Sequence, residues 1–253
     1  MTSPPALLRR LGTEVARRYH RLELAVAGDL PDRPVLLVAN HGFGALLDVT
    51  LLAVAAALHE LRPERPVTVL AHPLAWTLGF GALAEAFGAR PASMANALEA
   101  FAQDHHVLVL PGGDVEAAAT WNNRNRIIFD GRPGFAALAL RAEVPIVPVV
   151  TAGVGETLLV LADGQNLARA ARLDTWLNLR ALPLSVSLPW GLNLGLVGLV
   201  LPYLPLPSKL CTAVLPAVQA RDGESAEDLA GRVQTLMQDR LTAMTEGRRP
   251  VLG

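Results

Sequence analysis

A single α/β domain, with a mostly parallel central sheet flanked by helices, is the fold class this sequence predicts. Three observations point to it. Several short strand-like runs are continuously apolar, as strands are when both faces of their sheet are covered. Those runs alternate with stretches of helical periodicity, the order that builds parallel sheets. No internal repeat and no Gly/Ser-rich linker divides the 253 residues, so one domain is the simplest count.

Taken in chain order, residues 6–24 form the first helix candidate. Leu7, Leu8, Leu11, Val15, Tyr19 and Leu22 recur at mostly helical spacing, and Arg9, Arg10, Arg17, Arg18 and Arg21 supply a cationic face. A basic amphipathic helix suits an anionic lipid surface, and it equally suits an ordinary surface helix covering a core. Residues 1–25 are therefore set apart as a basic amphipathic N-terminal helix, and 26–253 as the main domain. Strand candidates follow at 35–39, 67–71, 107–110 and 146–150, with helical stretches at 46–59, 74–87, 92–103 and 134–141. Later strands are expected at 184–188 and 212–218. The chain closes on a helix over 226–244, where Ser225 and Asp228 make a capping box ahead of an apolar stripe of Leu229, Val233, Leu236, Met237, Leu241 and Met244.

Composition removes several function classes. Hydrophobic residues make up 51% and charged residues 18%, against about 25% charged in an ordinary soluble domain, and mean hydropathy is +0.34. This is not a disordered chain. A lone cysteine, Cys211, excludes a disulfide framework. A formal net charge of −1 provides no global field for nucleic acid, so no nucleic-acid partner is expected. The longest uncharged stretch, residues 181–208, is interrupted by Pro183, Pro189, Pro202, Pro205 and Pro207 and by three glycines, which suits a broken apolar surface better than a spanning helix. No secretory signal is evident. The expectation is a protein at the cytoplasmic face of a membrane, peripheral or monotopic.

Chemistry is concentrated just past two strands. The first apolar run leads directly into Asn40-His41-Gly42-Phe43-Gly44, and Asp48 follows at the head of the next helix. Parallel-sheet proteins place reactive groups at strand ends. Asp48 could hold one imidazole nitrogen of His41 and leave the other as a general base; alternatively, Asp48 caps the helix and His41 is a satisfied loop histidine. The second site is Pro111-Gly112-Gly113-Asp114-Val115-Glu116, again after a strand. Its glycines would let backbone N–H groups approach an anion or oxyanion, or simply form a tight turn. Further on, Trp121 to Arg126 is a polar patch whose Arg124 and Arg126 could grip a phosphate or carboxylate, or lie in a solvated loop.

Two glycine pairs imitate a dinucleotide fingerprint, Gly42-Phe43-Gly44 and Gly79-Phe80-Gly81. The first lacks a third glycine and the second lies too far beyond its strand. His20, His59, His72, His105 and His106 have no metal-ligand spacing, so no metal and no resident cofactor are expected.

Together these blocks resemble the lysophospholipid acyltransferase family, the glycerolipid acyltransferases that include 1-acylglycerol-3-phosphate acyltransferases. Asn40-His41…Asp48 matches the family's NH…D block. Phe87-Gly88-Ala89-Arg90 matches the second block loosely, residues 107–117 match the third, and Val144-Pro145-Ile146-Val147-Pro148-Val149 the fourth. Two departures stand out. Six residues separate His41 from Asp48, a longer form similar to the diacylglycerol-acyltransferase-like subgroup. Gly112 and Val115 replace the glutamate and arginine of the family's FPEGTRS block, a change that resembles versions acting on more neutral lipids.

The resemblance implies a glycerolipid acyltransferase-like α/β fold, with 26–253 as the acyltransferase domain. It implies transfer of a fatty acyl group from acyl-CoA or acyl-ACP, as co-substrate, to a hydroxyl of a glycerolipid or lysophospholipid. His41 and Asp48 would be the catalytic dyad. Asn40, Arg90, Pro111, Gly112, Gly113, Glu116, Arg124 and Arg126 would bind substrate. Expected partners are the acceptor lipid, the acyl thioester, a membrane surface and an acyl carrier protein. The competing readings are a non-catalytic lipid-binding membrane protein and a nucleotide-binding α/β enzyme.

Overall fold

The computed structural model describes residues 4–26, 29–43, 48–61, 63–195 and 201–253. Residues 44–47, and with them Gly44 and the expected start of a helix at 46, lie outside the described residues, as does 196–200 of the uncharged stretch. The chain runs α1 (Pro4–Arg18), β1 (Glu23–Val26), β2 (Leu36–Ala39), α2 (Val49–Leu61), β3 (Val67–Ala71), α3 (Leu74–Thr77), α4 (Gly81–Ala86), β4 (Ala89–Pro91), α5 (Met94–Ala102), β5 (His106–Val109), α6 (Gly113–Ala117), α7 (Gly134–Ala142) and β6 (Ile146–Ala152). It continues through β7 (Leu159–Ala162), α8 (Gln165–Ala170), α9 (Leu173–Leu177), β8 (Leu184–Ser187), β9 (Gly191–Leu194), β10 (Cys211–Val214) and α10 (Ala226–Thr245).

Seven strands form the main sheet in the order β1-β10-β6-β2-β5-β3-β4. All neighbours are parallel except β10 and β6, as the continuous apolar runs predict. In β2, Leu36 and Val38 enter one core with α5, α7 and α10. Leu37 and Ala39 enter the opposite core, against Val54 and Ala57 of α2. Burial on both faces is the reason the strand does not alternate polar and apolar residues.

Four expectations need correction. The helix at 74–87 is two short helices, because Gly79 between them takes a left-handed φ of 83° that a continuing helix forbids. The N-terminal helix ends at Arg18 rather than 24, and Arg21 turns left-handed at φ 47°. The chain then enters β1, which pairs with β10 in the main sheet. A boundary at 25/26 falls inside that strand, so the N-terminal segment is part of the domain. The last strand stops at Val214, short of 218 and of Pro216. A second sheet, β7-β8-β9, is antiparallel; only its middle strand was expected from the sequence.

Candidate functional site

Strand β2 lies between β5 and β6, parallel to both, so the segments leaving β2 and β5 emerge side by side, at the end where such sheets place their sites. The first carries His41. Its Nδ1 lies 3.2 Å from Asp48 Oδ2 and 2.6 Å from the Gly42 carbonyl. A carbonyl oxygen only accepts, which assigns a proton to Nδ1, so in the neutral ring the lone pair is on Nε2. The His41 side chain is 18% exposed and that of Asp48 3%.

Asp48 serves both roles the sequence left open. Oδ1 accepts the Thr50 N–H at 2.7 Å, capping the start of α2, while Oδ2 faces the imidazole. Burial pushes its carboxyl above the usual carboxylate range, opposed by His41 and by the N–H groups of Thr50 and Leu51. Thr50 Oγ1 also accepts the Gly42 N–H at 2.9 Å, closing the loop on the helix start.

Beneath this pair lies Glu116, 3% exposed. Oε2 accepts the backbone N–H of His41 at 2.9 Å, and Oε1 accepts that of Ile128 at 3.0 Å. The glycines of the neighbouring loop have a packing reason that spacing alone did not reveal. A Cβ on Gly112 would run into the Glu116 side chain and the Ile128 carbonyl. The Gly113 N–H is taken by the Leu110 carbonyl at 3.2 Å, and its φ of 53° sets it against Arg132. Gly112 thus makes room for Glu116, and Gly113 has its N–H engaged within the turn. Asn40 is also committed: it donates to the Thr151 carbonyl at 3.1 Å and accepts the Thr151 N–H at 2.8 Å, joining the ends of β2 and β6. Glu116 and Asn40 both brace the histidine loop through these bonds.

Burial pushes the Glu116 carboxyl up to about 8, from 4.5 in an ordinary glutamate, even against its two N–H donors. Between those values the folded chain holds a proton that the unfolded chain releases, so stability falls as pH rises through that window. The loss is on the order of a few kcal/mol, at about 1.4 kcal/mol per unit. Glu116→Gln removes the titration. Its stability curve from pH 5 to 9, followed by urea unfolding, should be flatter than wild type, and an unchanged slope would show that another group sets it.

A cavity of about 650 Å³ opens beside the pair, within the range of about 300–1,000 Å³ usual for small-molecule sites. His41, Phe43, Asp48, Pro111, Gly113, Asp114 and Arg132 line it with a largely apolar wall that includes Leu51, Leu70, Leu74, Leu78, Phe135, Leu138, Leu179 and Leu182. Arg132 reaches Asp114 at 3.2 Å and the Gly112 carbonyl at 3.4 Å. Asp114 Oδ2 in turn accepts the N–H groups of Arg180 and Ala181. Tyr203 donates to the Phe43 carbonyl at 2.9 Å, from 160 positions along the chain. No sequence pattern links Tyr203 to this site.

On a second side of His41, a small recess is bounded by Glu116, Arg124, Arg126 and Gly155. Arg124 donates to the Trp121 carbonyl at 2.6 Å, with its guanidinium 4.8 Å over the indole. Arg90 is not brought to the site. It pairs with Glu99 at 3.3 Å and Gln103 at 2.9 Å beside β4, and does not line the cavity. Gly79 and Gly81 flank the turn between α3 and α4, not a strand-to-helix turn. Among the described residues no His/Cys/Asp/Glu group could hold a metal ion.

The family model described as Acyltransferase matches residues 16–152. An uncharacterized protein of Mycobacterium tuberculosis is 30% identical over 257 residues, covering 97% of this chain and 68% of that protein. The human protein named DGAT1/2-independent enzyme synthesizing storage lipids is 29% identical over 160 residues, covering 63% of this chain and 46% of its own. The crystal structure of the 1-acyl-sn-glycerophosphate acyltransferase PlsC from Thermotoga maritima superposes with a TM-score of 0.54 at 15% identity, over 95% of this chain and 81% of that one. At that identity the likeness concerns the fold.

Proposed function

The chain belongs to the acyltransferase family, and on that premise we propose that it moves a fatty acyl group from an acyl thioester, acyl-CoA or acyl-ACP, to the hydroxyl of a glycerolipid. The observation that carries this reading is the His41–Asp48 pair set in the wall of an apolar cavity. Nδ1 carries the proton shared with Asp48 and Gly42, so Nε2 takes the proton of the acceptor hydroxyl. The freed oxygen attacks the thioester carbonyl and forms the new C–O bond. The tetrahedral adduct then collapses with cleavage of the C–S bond, and the leaving thiolate recovers the proton from the imidazolium. The apolar wall holds the acyl chain. A neutral acceptor, mono- or diacylglycerol, suits the lining better than a phosphorylated one: Arg132, the cation beside the catalytic pair in this cavity, is already engaged by Asp114. The storage-lipid name of the human relative supports the same choice.

The test is a transfer screen with labelled acyl-CoA and acyl-ACP against mono- and diacylglycerol, lysophosphatidic acid and other lysophospholipids. Free thiol should appear only when an acceptor is present, and fastest with the neutral glycerides. Preference for lysophosphatidic acid would overturn the acceptor assignment, and thiol release without acceptor would overturn direct transfer.

A further inference from the structure

Two strands of the small antiparallel sheet, β8 and β9, are patterned inside out. A sheet with one covered face normally turns apolar side chains inward and polar ones to water. Here Ser185 and Ser187 of β8 are buried, and Asn193 of β9 bonds to both, at 3.2 and 3.1 Å. The opposite face of the same strands exposes Val186, Leu188, Leu192 and Leu194, with Val186 directly opposite Leu192. Trp176 is 80% exposed and Trp190 48%. Ten of the eighteen large apolar side chains that are exposed among the described residues fall between positions 159 and 204, so exposed apolar surface is concentrated in this stretch of chain and not scattered evenly over the molecule.

Two further observations say what covers it. The polypeptide that carries the patch also walls the cavity, through Leu179, Leu182, Pro183 and Gly195. The exposed face and part of the cavity wall thus belong to one stretch of chain. Cations flank it as well. Arg169 and Arg172 are exposed and, among the described residues, form no ion pair; with Arg180 they outnumber Asp163 and Asp174 of the same stretch. Exposed indoles, aliphatic side chains and adjoining arginines match the headgroup and upper acyl layers of an anionic bilayer. We propose that the outer face of the β8–β9 sheet is the surface on which this protein docks to an anionic lipid bilayer, and that the acceptor lipid reaches the cavity from there. Passage of the acceptor rests on the proposed transfer to a glycerolipid; the docking surface itself does not.

The test is flotation of the full chain with phosphatidylcholine vesicles, with and without phosphatidylglycerol. Wild type should float, more strongly with phosphatidylglycerol. Val186→Thr/Leu192→Thr keeps strand-forming side chains on an exposed face and should weaken binding roughly tenfold or more. It should leave thermal stability and turnover of detergent-dispersed acceptor near wild type. Arg169→Gln/Arg172→Gln should lose only the phosphatidylglycerol enhancement. Leu11→Ser/Val15→Ser, on the exposed face of α1, should float as wild type does. The proposal is overturned if wild type does not float, if the sheet variant floats unchanged, if only the α1 variant loses binding, or if the sheet variant instead dissolves a concentration-dependent dimer. Flotation without turnover on any acceptor would sink the transfer reading and leave the docking surface standing.

Discussion

Replacing His41 with alanine should lower acyl transfer by about 10²–10⁴-fold, the usual contribution of a positioned general base, with little change in the affinity for either substrate. The imidazole is the group in this site whose free nitrogen is set by two acceptors on the other side, Asp48 and the Gly42 carbonyl. Asp48→Asn tests the orienting half of the pair. Its amide keeps the Thr50 N–H through one oxygen but can turn an N–H toward Nδ1, which favours the tautomer with the lone pair on the wrong side. That variant should lose most of its activity while the α2 cap is kept, because asparagine caps a helix about as well as aspartate. Thiol release measured against acceptor concentration separates the effects, since kcat should fall with KM near wild type. Full activity in His41→Ala would remove the histidine from the chemistry.

The second large effect lies away from the cavity. Glu156, 1% exposed, and Arg248, 5% exposed, form a buried pair with two contacts of 2.9 Å. Ser208 and the Val251 N–H, each at 2.7 Å, complete the carboxylate's partners. Burial pushes Glu156 up, but Arg248, Ser208 and Val251 outweigh it and hold its carboxyl below the usual range. Removing one member of a buried pair leaves the other uncompensated. Arg248→Met should therefore cost about 3–5 kcal/mol. At about 2–4 °C per kcal/mol for a chain of this size, that is roughly 6–20 °C in Tm. With the lowered carboxyl, wild type keeps this stabilisation above the ordinary glutamate value and loses it as pH falls through the folded one. In the variant burial is opposed only by Ser208 and the Val251 N–H, without the guanidinium charge, so acidification should help it relative to wild type. Glu156→Gln/Arg248→Met should recover part of the loss. An Arg248→Met protein that melts as wild type does would show that the pair adds nothing.

Much of the main sheet was legible because β2, β3, β5 and β6 are covered on both faces and therefore spell continuous apolar runs. The edge strands were not. β4, Ala89-Arg90-Pro91, carries no such run, and the short run Leu24-Ala25-Val26 of β1 follows directly on a helical pattern; both assignments depend on neighbours distant in sequence. Of the small sheet only β8 was legible, from the run at 184–188; β9 was not, because Gly191, Asn193 and Gly195 break its apolar pattern until the strands are paired. In the site, His41 and Asp48 were legible from their place past a strand and before a helix. The Gly112-Gly113 turn was legible as a turn but not for its purpose, since a sequence displays a missing side chain without the carboxylate that uses the space. Arg90 matched a family block, yet its guanidinium is spent on Glu99 and Gln103.

The position of β10 also constrains how the molecule assembles during synthesis. Among the described residues β1 finds its sheet partner only in β10, Glu23 pairing with Cys211, and the turn after α1 is stitched to the same region through His20 to the Ser208 carbonyl and Arg21 to the Pro207 carbonyl. Some 188 positions separate the partners. At about 5–20 residues per second of elongation, the N-terminal segment waits roughly 10–40 s on the ribosome before its site of attachment exists. Until then β6 lacks its outer neighbour and presents an open parallel-sheet edge, a hazard for association with other nascent chains. A chain interrupted shortly before residue 211 should therefore be recovered in aggregates or bound to chaperones, even though it would already contain both His41 and Asp48.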